Sequence, residues 1–296
     1  MNKIIVVDKP YGLTSSYVVN KLKKFFGAEK AGHSGTLDPL ATGVLVVYFD
    51  DMTKIIPYID ESIKNYEVKI LLGLLTDTLD ISGKILNLSK IKKYSNDDII
   101  DAIESFKGEY NYKPPIFSAI KINGIPSYKL ARDGKSVELG IKKSYIEEIK
   151  IINSGFSTLN LRIESSKGTY IRALARDIGL ALGSFGTVSK LRRTKTGKFD
   201  IKTSNNFFAL INGSEPLFFP IDKLFTVINI KESDVIRISS EKNFKDVNLG
   251  FLLNINNQDS PVILSCSNIP ILIATNKFDS NGAYISSKIK FFNKKN

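Results

Sequence analysis

The stretch Gly32-His33-Ser34-Gly35-Thr36-Leu37-Asp38-Pro39-Leu40-Ala41-Thr42-Gly43-Val44-Leu45 constrains this chain more than any other. It is a loop of small residues that runs into an apolar strand. Its three glycines permit positive φ angles and close backbone approach, and Pro39 biases Asp38 away from helix. A carboxylate can therefore be held in an unusual loop conformation. From the spacing alone two readings stand. In one, Asp38 organises a turn, as Asp before Pro commonly does, and His33 is a satisfied surface histidine. In the other, Asp38 is a reactive group.

With 296 residues and 43% hydrophobic content, the chain can build a large domain with a real core and a smaller one beside it. A single cysteine, Cys266, and a single histidine exclude an internal disulfide and any zinc site made of paired Cys or His ligands. No metal or cofactor is expected. The apolar run Ile4–Val7 is too short for a signal peptide, and no stretch approaches the roughly 18 apolar residues of a membrane span. A cytoplasmic protein without a membrane partner is expected. The net charge of +12 suits a polyanionic partner without naming it.

The residues beyond 230 carry nine basic and six acidic groups, +3, which leaves +9 for the first 229. A turn-rich segment from Gly213 to Asp222 precedes a change, near Val227, to short apolar runs separated by polar turns. The boundary is expected at 226–232, dividing residues 1–226 from a small β-rich unit at 230–296. In the first part, Ile4–Val7, Val44–Phe49, Tyr66–Leu72 and Leu159–Ser165 read as strands. Ser15 or Ser16 is expected to cap a helix with Val18, Val19, Leu22, Phe25 and Phe26 on its apolar face. Asn96–Phe106 and Tyr170–Leu182 read as further helices, the latter ended by Gly183. The elements interleave without a regular βαβ period, so the class is α+β, a mixed sheet with flanking helices.

The loop resembles the signature G-H-[ST]-G-x-L-D-P-x-A-x-G of the TruB-type tRNA pseudouridine synthases, with Ser34 where Thr is more usual. Further segments are similar to that family in the same order: Lys64-Asn65-Tyr66; Gly73 to Asp80 (GLLTDTLD); Pro114 to Lys121 with Tyr128 to Arg132, the thumb segment at about 110–140; Ser166 to Arg172 (SKGTYIR); and Leu191-Arg192-Arg193-Thr194. The matches span about residues 5–195. The resemblance implies a catalytic domain that isomerises uridine 55 of the tRNA T-loop without cofactor, followed by a small RNA-binding module faintly similar to a PUA domain.

Pseudouridine formation breaks the N1–C1′ bond, turns the uracil and rebonds the sugar to C5. The resemblance makes Asp38 the carboxylate that acts as nucleophile or assists elimination. Arg172 would be its guanidinium partner, favouring the ionised form. Tyr66 would pack on the base and be a candidate for removing the C5 proton, Tyr170 would stack, Asp80 would belong to the wider network, and Leu191 would form an apolar wall. A uridine inside a tRNA loop must be extruded to react, and His33 is the expected brace. Lys190, Arg192 and Arg193, with Lys195 and Lys198, have the composition for phosphate contacts. A monomer is expected. Because every matched residue precedes the boundary, a chain ending near Phe225 is expected to retain the chemistry and bind whole tRNA less well. An RNA chaperone that remodels the tRNA elbow is a second reading compatible with the first. A nuclease would need paired acidic ligands or two histidines, and only His33 is present.

Overall fold

The computed structural model describes residues 1–135, 137–233, 235, 261–267, 269–279 and 282–290. The first elements are β1 (Ile4–Lys9), α1 (Ser15–Phe25), β2 (Ala31–His33), β3 (Thr42–Phe49) and β4 (Ile63–Leu72). A small excursion, β5 (Leu74–Thr76) and β6 (Ile85–Leu88), leads to α2 (Asn96–Glu104) and β7 (Gly108–Tyr112). The thumb region carries β8 (Lys121–Ile122), β9 (Ile125–Pro126) and α3 (Ser127–Arg132). The domain then continues through β10 (Lys142–Gly155), β11 (Thr158–Ser166), α4 (Ile171–Ala181), β12 (Gly186–Thr196), β13 (Phe199–Asp200), β14 (Asn205–Asn206) and α5 (Phe207–Ile211). Last come β15 (Thr226–Asn229), β16 (Val262–Cys266), β17 (Ile269–Asp279) and β18 (Gly282–Lys290).

The large sheet runs β14-β1-β3-β12-β4-β11-β10-β7. It is mixed, because β1 pairs with β14 and β3 with β12 in parallel while the remaining pairs along this path are antiparallel. The α+β reading therefore holds. Among the described residues no helix is long and apolar enough to cross a membrane.

The apolar runs of β1 and β3 have a structural cause: both faces of these strands are covered. Ile5, Val7, Leu45, Val47 and Phe49 join α1 residues Val18, Val19 and Leu22 in the main core. Their alternate neighbours Ile4, Val6, Val44, Val46 and Tyr48 form a second cluster with Met52, Ile55, Phe199, Phe225 and, from the four-stranded C-terminal sheet, Ile263 and Ile273. Period-2 alternation thus serves two cores at once.

The helix cap differs from the expected one. Thr14 is the N-cap, and its Oγ1 accepts from the Tyr17 backbone N–H, while Ser15 is buried inside the first turn with its hydroxyl turned to Leu37. Phe25 is exposed, since it falls beyond the stripe that contacts the sheet. The glycine reading also narrows. Gly43 has φ +103°, whereas Gly32 and Gly35 stay out of the left-handed region, and of these two only Gly35 has a neighbour too close for a side chain.

Ile263 and Ile273, fully buried in a cluster shared with β1 and β3, link the C-terminal sheet to the large domain. Deleting two such side chains costs about 2–5 kcal/mol each. A chain ending at Phe225 should therefore melt at least about 10 °C below the full chain. Calorimetry on both checks this, and equal melting temperatures would show that the second cluster is closed without the tail.

Candidate active site

The loop between β2 and β3 holds Asp38, and its backbone is tied down from beneath. The buried Lys9, at the end of β1, donates from Nζ to the carbonyls of Pro10 at 2.9 Å, Leu13 at 2.6 Å and Pro39 at 3.3 Å. Ser15 Oγ donates to the Leu37 carbonyl at 3.0 Å and accepts from the Leu37 N–H at 2.8 Å. Gly12 N–H donates to the Pro39 carbonyl at 2.8 Å. The residues on either side of Asp38 are thereby fixed by main-chain bonds that do not involve its carboxylate.

That carboxylate faces a pocket of about 230 Å³ lined also by Gly35, Lys64, Tyr66, Ser118, Tyr170, Arg172, Leu191 and Arg193. Arg172, in the first turn of α4 and only 4% exposed, grips it with a two-pronged fork: Nε to Oδ2 at 2.9 Å and Nη2 to Oδ1 at 3.1 Å. The other donors of Arg172 reach the carbonyls of Thr78 at 2.7 Å and Phe117 at 3.0 Å, and Nη1 lies 3.7 Å from Asp80 Oδ2. One guanidinium joins the Asp38 loop, the turn after β5 and the thumb.

The turn after β5 explains its own sequence. Leu79 sits at φ +62°, Thr76 Oγ1 donates to the Asp80 carbonyl at 2.7 Å, and Asp80 Oδ1 accepts from the Thr78 hydroxyl and the Ser82 N–H, both at 2.9 Å. Asp80 is buried and aimed at Arg172. On the opposite wall Tyr66 projects from β4 and Leu191 from β12, both nearly inaccessible. Burial pushes the Tyr66 phenol above its ordinary pKa, and the Arg193 guanidinium opposes this. Tyr170 is the residue before α4; burial raises its phenol as well. It leans on Tyr112, 6.3 Å between ring centres, which stacks in turn on Tyr110 at 4.8 Å.

His33 is not among the residues that line this pocket. It stands on β2 with Nδ1 buried and unpartnered, and burial together with Arg193 lowers its pKa. The expected phosphate cluster divides. Lys190 is exposed, and Arg192 is half-exposed and paired with Asp8 at 2.7 and 3.0 Å. Arg193 departs from the expectation. It is 2% exposed, with Nε on the Val44 carbonyl at 2.8 Å and Nη2 on the Gly35 carbonyl at 2.9 Å. Strand pairing turns it inward, because β12 lies between β3 and β4 at this point.

Gly43 is required by that pairing. A Cβ there would lie 2.1 Å from the Arg193 carbonyl oxygen, at a φ that side chains avoid. Overpacking and backbone strain together amount to about 3–5 kcal/mol, so Gly43→Ala should lower the melting temperature by roughly 10 °C. Unchanged melting would show that the β3–β12 contact yields to a methyl group.

The sequence carries no signal for a role of Ser15 at this loop, where it reads only as a helix cap, none for Lys9 beyond its place, and Lys64 enters only as part of a motif. The signal for Lys9 was faint: a lone lysine that ends an apolar strand just before a proline.

Comparison with known proteins follows the same motifs. Residues 23–171 match the N-terminal domain of the TruB family pseudouridylate synthases, and residues 172–210 match the tRNA pseudouridylate synthase B C-terminal domain. The tRNA pseudouridine synthase B of Anaplasma phagocytophilum is 37% identical over 279 residues, covering 90% of this chain and 92% of that protein. That of Francisella philomiragia is 43% identical over 205 residues, 69% of this chain and 68% of the relative. The fold is similar to one in a crystal structure of a Cbf5-Nop10-Gar1 complex, with a TM-score of 0.68 and 23% identity, covering 98% of this chain and 85% of that one.

Proposed function

This chain belongs to the TruB family of pseudouridylate synthases, and from that premise we propose that it isomerises uridine 55 of the tRNA T-loop with Asp38 as the catalytic carboxylate. The observation that carries the reading is the Asp38–Arg172 fork at the floor of a pocket walled by Tyr66, Tyr170 and Leu191. Routes through a C1′ adduct, a C6 adduct or a glycal share one requirement, a carboxylate held against the reacting nucleotide, and the fork fixes Asp38 in the pocket.

The target base leaves its stack and enters between the two tyrosines. With its phenol raised by burial, Tyr66 offers the base a ring face rather than a resting phenolate. His33, kept neutral by burial, braces the opened loop without having to titrate. The protein acts as a cytoplasmic monomer, with residues 230–296 extending its grip on whole tRNA as a PUA-like module.

Phosphate contact falls to Lys190 and Arg192. Lys190→Gln should make the dependence of tRNA affinity on salt shallower by roughly one phosphate's worth of counterion release. An unchanged slope in filter binding would return Lys190 to an ordinary solvated face.

The function is tested by incubating the full chain with an unmodified tRNA transcript in chelator and mapping pseudouridine. Product at position 55 alone is expected. Its absence there would remove the assignment.

A further inference from the structure

Lys64 occupies the catalytic pocket without a role in the account above. It lies two residues before Tyr66 on β4, so both side chains leave the same face of the strand and both line the pocket. Its side chain is 11% exposed. Two neighbouring cations are committed elsewhere, Arg172 to Asp38 and two carbonyls and Lys9 to three carbonyls under the loop, while Arg193 gives Nε and Nη2 to the carbonyls of Val44 and Gly35 and also lines the pocket beside Tyr66.

Lys64 faces a carboxylate, Glu61, but at 3.8 Å, which is longer than a hydrogen bond. Glu61 does not depend on it. Its oxygens already accept from the hydroxyls of Ser34, Tyr48 (3.4 Å) and Thr196 (3.2 Å). Gly35, on the catalytic loop, leaves the space for the ammonium: a Cβ at that position would lie 2.8 Å from Lys64 Nζ. The same Cβ would lie 3.3 Å from Arg193 Nη1, so Gly35 leaves room for both cations. The glycine admits the ammonium to the pocket's edge, and the strand aims it there.

We propose that Lys64 is a catalytic residue that stabilises the negative charge on the departing uracil; this rests on the isomerisation assigned above. When the N1–C1′ bond breaks, its electron pair leaves with the base and spreads over N1, O2 and O4. When C5 bonds to C1′ the pair returns, the C5 proton is lost and N1 gains a proton, so the sum is an isomerisation with no co-reactant. Between these events the base is an anion in a water-poor pocket. A fixed ammonium acts there as a donor placed where charge develops. Arg172 is held against Asp38 and Asp80, whose charges it must offset, and Lys64 stands on the side of Tyr66, against which the base packs.

The titratable and charged groups around Lys64 are Glu61 ahead of its strand, His33 on β2, Arg193 on β12, Lys167 after β11 and Asp38 on the loop. Burial is the main cause, and Arg193 a second, that lower its pKa to about 8, with Glu61 opposing. The side chain is therefore about half protonated near pH 8, and its charge is lost as pH rises through that value. Lys9 is also lowered to about 8 and lies beneath Asp38, so an alkaline limb alone does not identify the group.

The test is single-turnover isomerisation of unmodified tRNA by the full chain and its variants across pH 6–10. Lys64→Met should slow the reaction on the order of 100-fold with tRNA affinity unchanged. Lys64→Arg, which stays protonated, should recover most of the rate and lose the alkaline limb. Gly35→Ala, which displaces the ammonium without removing it, should reproduce part of the Lys64→Met loss. A wild-type rate in Lys64→Met overturns the proposal, as does an alkaline limb that persists unchanged in Lys64→Arg and so belongs to Lys9. Product at position 55 from the wild type, and none from Asp38→Asn, would leave the assigned reaction standing in either case.

Discussion

Asp38→Asn is expected to bind tRNA within about two-fold of the parent and to lose isomerisation by at least about 10⁴-fold, the scale reached when a nucleophile is removed. The substitution keeps the volume and removes the charge. It also turns one acceptor into an amide donor facing the Arg172 guanidinium, so one prong of the fork fails. The fold should survive this, because the loop is tied through backbone groups by Lys9, Gly12 and Ser15, none of which needs the carboxylate. Binding should survive because Lys190 and Arg192, the cations proposed for phosphate contact, do not line the pocket. Single-turnover assays with a melting curve check both halves. A folded variant that turns over near the parental rate would exclude Asp38 as the essential group.

Arg172→Met is expected to cost both stability and activity. The guanidinium holds Asp38, the Thr78 and Phe117 carbonyls and, at 3.7 Å, the buried Asp80. Without it Asp80 is a buried carboxylate that has lost its cation, a change on the order of 3–5 kcal/mol. The melting temperature should fall by roughly 10 °C and isomerisation by at least about 10³-fold. Arg172→Lys retains the charge but cannot reach all these acceptors from one planar fork, so it should melt closer to the parent while remaining about 10²-fold slower. A methionine variant that melts and turns over like the parent would refute the proposed linkage of loop, turn and thumb.

The sequence carried much of this because its local signals and its tertiary needs agree. The runs in β1 and β3 read as strands because both faces are buried, and the loop stood out because small residues around one carboxylate have little packing purpose. Disagreement arose where a residue's environment is supplied by distant segments. Arg193 belongs to a run of cations that reads as surface, yet it is turned inward by pairing on both sides, and the Val44 carbonyl it contacts on β3 lies 149 residues away in sequence. Ser15 reads as a cap because Ser begins helices, but Thr14 serves that purpose and Ser15 is drawn to Leu37. Lys9 carries no local signal, and only the convergence of three carbonyls on it shows its purpose. Nothing local to Ile263 or Ile273 announces that they close a cluster begun by β1 and β3. Such facts lie in which faces meet, and periodicity within one segment does not encode them.

The central claim is that this chain moves the sugar of one T-loop uridine from N1 to C5 with its own side chains. Release of tritium from tRNA transcripts labelled at uridine C5, measured in chelator with enzyme in excess, tests it most directly, because the C5 hydrogen is lost only where C5 takes the sugar. One equivalent should be released per tRNA, and none when position 55 is cytidine. No release from the uridine-55 transcript, or release that persists with cytidine at 55, would contradict it.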